Sequence, residues 1–475
     1  MNRRESIYSI AALGLLLNSI PNRCFSSFAS DNLTKSHFGD DFLWGVATAA
    51  YQIEGAINEA GKSSSIWDTF SHTKGKIKTG ENGDIACSFY YKYKEDLDRV
   101  KQLHFDVFRF SLAWTRIVPN GYGKPNQKGI DFYHRIIDAC LERGIQPWVT
   151  LYHWDLPQIL EDKGGWKNRD IVDWFSEYTH TCAKAYGDKV KNWLILNEPV
   201  ASSVLGYLLG IHAPGKRGFH HLYPVIHHTA LCQAEGTRII RNHVDHANIG
   251  STFSYSPIHP KSERGRHQKI AGKLDALLNR LFLEPALGMG YPIDGWPLLE
   301  NIYKYVKEGD EEKIKVDFDF IGLQNYTRVI AEHAFYIPLL WGKQASPKRK
   351  EAEITEMGWE VYPQGIYEML KRVSKYKGVD KIYITENGCA FPDVLEGNEV
   401  HDFRRIQFYK DYLTQVLKAK REGVNIQGYF CWSLMDNFEW AEGYKPRFGL
   451  IHIDYKTQQR TIKDSGLWFK KFLEE

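Results

Sequence analysis

The amino-acid sequence predicts a single closed (β/α)8 barrel of the TIM-barrel class, with its active site at the C-terminal ends of the strands. Eight apolar runs alternate with stretches whose apolar residues recur at helical spacing. The runs are continuously apolar, as in parallel strands that are covered on both faces. This pattern fits a closed barrel better than an open doubly wound sheet, and no phosphate-binding Gly-rich loop follows the first run.

The predicted strands are apolar runs that stop at a polar or aromatic side chain or at a turn. In chain order they cover 42–52, 105–114, 146–154, 192–198, 247–255, 318–327, 381–388 and 426–434. The fourth, Asn-Trp-Leu-Ile-Leu-Asn-Glu, and the seventh, Lys-Ile-Tyr-Ile-Thr-Glu-Asn-Gly, show the pattern most plainly.

The predicted helices lie between the strands and each carry one apolar face. They cover 90–103, 129–144, 169–186, 223–243, 271–287, 363–376 and 403–423. A mixed, Lys-containing insertion at 334–355 follows the sixth strand, and we expect it to form an active-site loop.

The length of 475 residues alone would suggest more than one domain, but α/β barrels often exceed the usual domain size. The chain shows no interdomain linker and no short repeat, so residues 30–475 are predicted to form one domain. The net charge of +3 and the lack of a basic block argue against a nucleic-acid partner. The sequence leaves the oligomeric state open.

The first 29 residues are predicted to be an export signal. A basic start is followed by an apolar stretch at 7–20, by Pro21 and by the small residues Ser27 and Ala29. The Arg3-Arg4 pair resembles a twin-arginine signal, and the alternatives are an uncleaved anchor or a disordered tail. We therefore expect an exported bacterial protein, periplasmic or secreted, with no membrane association after cleavage near Ala29.

No cofactor and no metal are expected. The pairs His220-His221 and His227-His228 lie in a helical, loop-flanked stretch without carboxylates at ligand spacing. Six cysteines outside the export signal are widely spaced, which predicts buried free thiols rather than a disulfide framework: Cys87, Cys140, Cys182, Cys232, Cys389 and Cys431.

Two predicted strands end at a glutamate, Glu198 in the fourth and Glu386 in the seventh. Hydrolysis of a glycosidic bond needs two carboxyl groups, one to attack the anomeric carbon or activate water and one to protonate the leaving oxygen. The alternative is that each glutamate simply ends a strand at the solvent.

Other strand ends carry groups that can bind a sugar. In a barrel these ends meet at one mouth, where catalysis occurs in this fold. The set comprises Gln52, Arg109, His153, Trp154, Asn197, Tyr326 and Trp432.

Three motifs resemble those of glycoside hydrolase family 1, the retaining β-glucosidase family. They are Phe-Leu-Trp-Gly-Val-Ala-Thr-Ala-Ala-Tyr-Gln-Ile-Glu-Gly at 42–55, Asn-Glu-Pro at 197–199 and Thr-Glu-Asn-Gly at 385–388. The segment Trp-Ser-Leu-Met-Asp-Asn-Phe-Glu-Trp at 432–440 is equally characteristic, and the resemblance extends over about 38–472. It implies that Glu198 is the acid/base and Glu386 the nucleophile, which Arg109 and Tyr326 keep ionised.

The resemblance also implies a set of substrate-binding residues. Gln52, His153, Asn197, Glu439 and Trp440 would bind sugar hydroxyls, Trp432 would stack under the ring, and Trp359 would form a platform for the aglycone. A carboxylate at Glu439 favours an unphosphorylated sugar. The family usually has Asn-Tyr-Tyr after the sixth strand, whereas this chain has Gln324-Asn325-Tyr326.

We therefore expect a retaining β-glucosidase that removes terminal non-reducing β-D-glucosyl residues from small β-glucosides or cello-oligosaccharides. β-Galactosidase or β-fucosidase activity stays open, because epimers differ by a single hydrogen bond in the pocket. Two further alternatives are a carbohydrate-binding barrel without hydrolysis and a transglycosidase.

Overall fold

Eight parallel strands form a closed barrel in the computed structural model, which describes residues 33–337, 339–347 and 352–475. Each strand pairs with the next along the chain, and the last pairs with the first, with Leu43 opposite Gly428. The strands are β1 (Leu43–Ala47), β2 (Val107–Ser111), β3 (Gln146–Tyr152), β4 (Asn192–Asn197), β5 (Asn248–Ser254), β6 (Phe320–Gln324), β7 (Ile382–Asn387) and β8 (Ile426–Trp432). The predicted barrel is confirmed. The predicted export signal, 1–29, lies outside the described residues.

One main helix follows each strand. The eight are α1 (Phe89–Gln102), α2 (Gln127–Glu142), α3 (Ile171–Tyr186), α4 (Phe219–His243), α5 (Gly265–Asp275), α6 (Gln364–Val373), α7 (Phe403–Arg421) and α8 (Asp464–Glu474). The sequence reasoning missed α8, although its buried residues recur at helical spacing. No helix among the described residues is both long and apolar enough to cross a membrane.

Shorter elements decorate the barrel. Short α-helices cover Ala50–Ile53, Ile66–Ser71, Trp114–Ile117, Gln158–Glu161, Pro199–Ser203, Leu283–Ala286 and Asp310–Lys313. The 3-10 and π-helical segments are Lys35–Phe38, Glu59–Gly61, Gly165–Lys167, Val204–Leu208, Ala276–Arg280, Pro297–Tyr305 and Trp440–Glu442. A three-stranded sheet contains Ile258–Pro260, Val329–His333 and Gly342–Gln344, and a hairpin pairs Ile451–Ile453 with Arg460–Ile462.

A layer of large apolar side chains fills the barrel on the side of the N-terminal ends of the strands. It takes one residue from each of six strands: Val107, Trp148, Leu194, Phe320, Tyr383 and Phe430. Inward-facing residues recur every second position, so the next layer towards the C-terminal ends contains Arg109 and Thr150. Because this apolar layer fills the N-terminal part of the barrel, polar groups gather at the mouth that the C-terminal ends of the strands form.

The first strand is shorter than predicted, because β1 ends at Ala47 and Gln52 lies in the helical turn Ala50–Ile53. The Ser111 hydroxyl accepts a hydrogen bond from the Ala50 backbone N–H at 2.8 Å, which helps to start this turn. The residues of the turn are buried. The apolar run therefore continues past the strand, and hydrophobicity alone could not locate its end.

Buried ion pairs hold the segment after β8 against the C-terminal part of the chain. Lys463 is fully buried and donates to Asp436 at 2.7 Å and to Asp393. Arg447 donates to the second oxygen of Asp436 at 2.6 Å, and Arg405 pairs with Asp393 at 2.9 Å. These contacts fix the segment that carries Glu439 and Trp440.

Replacing Lys463 with methionine is expected to lower the free energy of unfolding by about 3–5 kcal/mol, because it removes a cation shared by two buried carboxylates. Urea unfolding followed by circular dichroism measures the change. Lys471→Met, an exposed position on α8, is the matched control and should shift stability by less than about 0.5 kcal/mol. Equal shifts in the two variants would contradict a structural role for the Lys463 network.

Candidate active site

Two donors hold the carboxylate of Glu386 at the end of β7. Arg109 Nη1 lies 2.6 Å from Oε1, and the Tyr326 hydroxyl donates to Oε2 at 2.7 Å. Glu386 is only 4% exposed, so water screens these contacts little. Burial and the nearby carboxylates raise the pKa of Tyr326 well above its ordinary value, so the hydroxyl keeps its proton and remains a donor.

Arg109 connects the ends of β7 and β4. Its Nη2 donates to Asn197 Oδ1 at 2.7 Å, its Nε donates to Thr150 Oγ1 at 3.1 Å, and its Nη1 also reaches the Thr385 carbonyl oxygen at 3.1 Å. The side chain is fully buried. These contacts fix the guanidinium group, so a positive charge stands permanently beside Glu386.

Glu198 follows β4 directly and adopts a left-handed backbone conformation, with φ +42°. Its backbone N–H donates to the Thr252 carbonyl oxygen at 3.0 Å, and Pro199 then starts a short helix. Trp154 (φ +73°) and Trp440 (φ +49°) are also left-handed. This conformation is strained for residues other than glycine, and such strain is characteristic of functional sites.

The two glutamates differ in how easily they ionise. Burial, and to a lesser extent the charge of Glu386, raise the pKa of Glu198 to about 8. The Ser254 hydroxyl and the charge of Arg109 act in the opposite direction. Burial also raises the pKa of Glu386, but Arg109 and Tyr326 favour its charged form through direct contacts. Glu386 therefore ionises first, and Glu198 keeps its proton at neutral pH.

Glycine is required immediately after the Glu386 strand. A Cβ atom at Gly388 would lie 1.7 Å from the Trp432 carbonyl oxygen, so β7 and β8 can approach this closely only with glycine there. The close approach brings the ends of the strands that carry Glu386 and Trp432 together.

Asn197 has a fixed amide orientation. Its Oδ1 accepts hydrogen bonds from Arg109, from the Thr252 hydroxyl at 2.8 Å and from Gln324 Nε2 at 2.9 Å. Its Nδ2 therefore points to His153 Nε2, 2.8 Å away. Burial and Arg109 lower the pKa of His153 well below its ordinary value, so the imidazole is neutral.

Gln52 and Glu439 form a second polar group beside Glu198 and Glu386. Gln52 Nε2 donates to Asn437 Oδ1 and to the Phe438 carbonyl oxygen, both at 2.9 Å, and lies 3.4 Å from Glu439 Oε2. Burial first, then the charges of Glu442 and Glu386, raise the pKa of Glu439 to about 8. A group in this pocket thus experiences a negative potential.

Aromatic rings line one side of the site. Trp440 stacks on Tyr51 with a centroid distance of 6.2 Å, and its ring lies 5.8 Å from that of His153. Trp432 lies 6.0 Å from the His153 ring. Trp359 contacts Tyr326 at 5.4 Å and is half-buried. All eleven site residues predicted from the sequence therefore gather at the mouth of the barrel.

Sequence reasoning missed the residues that support this set. Thr150 and Thr252 lie inside apolar strands, where a hydroxyl at an inward position was the available signal. Gln324, noted only as a departure from the family pattern, donates to Asn197 Oδ1 and to Thr252 Oγ1 at 3.0 Å. Its longer side chain therefore helps to orient Asn197.

Comparison with known proteins identifies the family of the chain. The model of glycosyl hydrolase family 1 matches residues 34–475. The chain belongs to this family. Beta-glucosidase A of Thermotoga maritima is 44% identical over 437 residues, which cover 91% of this chain and 96% of the relative. Beta-glucosidase A of Acetivibrio thermocellus is also 44% identical, with coverage of 93% and 99%.

Solved family 1 structures have the same fold. The family 1 β-glucosidase from Thermotoga maritima superimposes with a TM-score of 0.87 at 43% identity, over 92% of this chain and 98% of that chain. The same enzyme has been solved in complex with glucoimidazole, again with a TM-score of 0.87, 43% identity and coverage of 92% and 98%. As a family 1 member, the protein is a glycoside hydrolase.

The raised pKa of Glu439 predicts a pH-dependent cost in stability. The folded chain keeps this proton up to about pH 8, whereas the unfolded chain releases it near the ordinary glutamate value. Stability therefore falls as pH rises through that interval. Glu439→Gln should raise the melting temperature at about pH 8.5 and change it much less at about pH 5. Differential scanning calorimetry checks this, with the exposed Glu308→Gln as control. A gain that does not grow with pH would contradict the burial of an ionisable Glu439.

Proposed function

We propose that this family 1 enzyme is a retaining β-glucosidase that acts on small β-glucosides or cello-oligosaccharides. The observation that carries the proposal is the asymmetry between the two glutamates. Glu386 lies between the Arg109 guanidinium and the Tyr326 hydroxyl, whereas burial and the charge of Glu386 keep a proton on Glu198. The names of the relatives, β-glucosidases at 44% identity, support the substrate class.

In the first proposed step, the Glu386 carboxylate attacks the anomeric carbon while Glu198 donates its proton to the departing oxygen. The C1–O1 bond breaks, and an ester bond forms between Glu386 and the sugar. The negative charge of Glu386 disappears on ester formation. One of the causes that raise the Glu198 pKa is thereby removed, so Glu198 becomes more acidic.

In the second proposed step, the ionised Glu198 takes a proton from water, and the water oxygen attacks the anomeric carbon. The ester bond to Glu386 breaks, and Glu386 regains its charge next to Arg109 and Tyr326. Both groups return to their starting protonation states. Two displacements at one carbon give a product with the configuration of the substrate.

The proposed glycone is an unphosphorylated sugar. The pKa of Glu439 is raised partly because the charges of Glu442 and Glu386 act on it, and the same negative potential would disfavour a 6-phosphate group. Gln52 and Glu439 offer both donors and acceptors to neutral hydroxyl groups.

Two measurements with nitrophenyl glycosides test the proposed function. Hydrolysis of the β-glucoside should exceed that of the 6-phospho-β-glucoside. The hydrolysis rates of the β-galactoside and the β-fucoside then give the order of glycone preference. Proton NMR at early time points should show the β-anomer of glucose before mutarotation. An α-anomer as first product would overturn retention, and no turnover of any glycoside would favour a binding protein without hydrolysis.

We also propose that the enzyme is exported, on the basis of the basic, apolar and small-residue pattern of residues 1–29. Expression of the full chain in a bacterium, followed by cell fractionation and N-terminal sequencing, tests this. A new terminus near Ser30 in the periplasm or medium supports export. An intact Met1 terminus in the cytoplasm contradicts it.

A further inference from the structure

A cluster of exposed apolar side chains lies in the loop between the strands Val329–His333 and Gly342–Gln344. We call Phe335, Tyr336, Leu339 and Trp341 the apolar tip. Their exposed fractions are 76%, 46%, 48% and 48%. A group of large apolar side chains that are exposed within one short loop is typical of an interaction site.

The apolar tip is held against helix α5. The Ala334 N–H donates to the Trp341 carbonyl oxygen at 2.9 Å, which closes the loop. Lys273 on α5 donates to the carbonyl oxygens of Leu339 and Leu340 at 3.2 and 3.1 Å. These contacts tie the tip to the outer helix. The active-site role expected for the 334–355 insertion stays a prediction.

Basic side chains lie on helix α5 and just before it, and α5 contacts the loop of the apolar tip through Lys273. We call Arg264, Arg266, Lys269 and Lys273 the basic rim, and the first three are exposed at the start of α5 or just before it. On the adjacent sheet, Lys261 and Lys343 share one carboxylate, that of Glu332. Residues 261–275 and 329–344 together carry six basic side chains (Lys or Arg) and three acidic ones, so the local charge balance is positive.

We propose that the apolar tip and the basic rim form a docking surface for an anionic lipid membrane. Aromatic and aliphatic side chains can enter the boundary between headgroups and acyl chains, while arginine and lysine side chains contact anionic headgroups. This surface gives reversible attachment to a bilayer, unlike a membrane-spanning helix, and it departs from the expectation, drawn from the sequence, of no membrane association after cleavage.

Other occupants fit the same surface less well. A neutral β-glucan could stack on Tyr336 and Trp341, but it would use neither the basic rim nor the aliphatic Leu339. A second copy of the chain would bring two basic rims together, and like charges would oppose the contact. The combination of apolar and basic groups therefore favours the anionic membrane.

Vesicle co-sedimentation of the full chain tests the proposal. The variant pairs are Phe335→Ser with Trp341→Ser in the tip, and Arg266→Glu with Lys269→Glu in the rim. The control pair, Ile85→Ser with Val394→Ser, removes side chains that are 62% and 64% exposed elsewhere. All variants keep residues 1–29, so any binding by that segment is common to them.

With vesicles containing about one-third phosphatidylglycerol, each test pair should lower the affinity by at least about tenfold, and the control pair should not. Salt at about 0.5 M should weaken wild-type binding, because exposed charges are then screened. Hydrogen exchange of the peptide that spans the tip should slow on these vesicles and stay unchanged with pure phosphatidylcholine. Hydrolysis of the nitrophenyl substrate should be unaffected in the rim pair and in the control pair.

Three results would overturn the proposal. The first is equal vesicle binding by test and control pairs, with no change in hydrogen exchange at the tip. The second is a loss of retention on insoluble β-glucan in the tip variant while its vesicle binding is unchanged. The third is a dimer that depends on the tip in size-exclusion chromatography without vesicles.

Discussion

Replacing Glu386 with alanine is expected to lower turnover of aryl β-glucosides by at least about 10⁴-fold, because the variant lacks the carboxylate that is proposed to form the covalent bond to the sugar. Glu386 is the carboxylate that Arg109 and Tyr326 orient. The protein should be less stable, because the buried Arg109 loses its ion-pair partner, but it should still fold, since Arg109 keeps its contacts with Asn197 and Thr150. Steady-state kinetics and circular dichroism measure the two effects.

Azide provides the control for the Glu386→Ala variant. The small anion can enter the space left by the carboxylate and attack the anomeric carbon directly. A single displacement inverts the configuration, so the expected product is an α-glucosyl azide. A variant with near wild-type turnover, or a β-glucosyl azide as product, would show that Glu386 is not the nucleophile.

Replacing Glu198 with glutamine is expected to remove the alkaline limb of the pH profile. In the wild-type protein kcat/KM should fall as pH rises through about 8, because Glu198 then loses the proton that the leaving group needs. The glutamine variant has no such proton to lose, so its low activity should stay flat across that range. For substrates with poor leaving groups the loss should be about 10²- to 10⁴-fold.

Leaving-group dependence separates this role from a structural one. A dinitrophenyl glucoside needs little protonation of its oxygen, so bond cleavage in Glu198→Gln should be affected far less than with an alkyl glucoside. Glu439→Gln is the comparison variant, because it also removes a buried carboxyl group with a pKa raised to about 8. An alkaline limb retained by Glu198→Gln and lost by Glu439→Gln would reverse the assignment.

The barrel and the residues at its mouth could be predicted because the sequence carries them in local patterns. Apolar runs predicted the parallel strands, and in a closed barrel the ends of those strands must meet. The glutamates at the ends of the fourth and seventh strands were therefore placed correctly without knowledge of their neighbours. These two residues, Glu198 and Glu386, lie far apart along the chain.

The remaining features depend on contacts that no local pattern records. The left-handed conformations of Trp154, Glu198 and Trp440 arise from the surroundings that hold them, not from their residue types. The Lys463 ion pairs join positions that are distant in sequence. The end of β1 was misplaced because a buried helical turn continues its apolar run.

Mass spectrometry of the enzyme after reaction with a 2-deoxy-2-fluoro-β-glucoside that has a good leaving group tests most directly whether Glu386 forms a covalent intermediate. The fluorine slows both displacement steps, and the reactive leaving group keeps the first step faster than the second. The fluoroglucosyl ester should therefore accumulate on the peptide that contains Glu386, and hydrolysis should stop with one label per chain. An unlabelled protein that turns over this substrate, or a label on the Glu198 peptide, would contradict double displacement through Glu386.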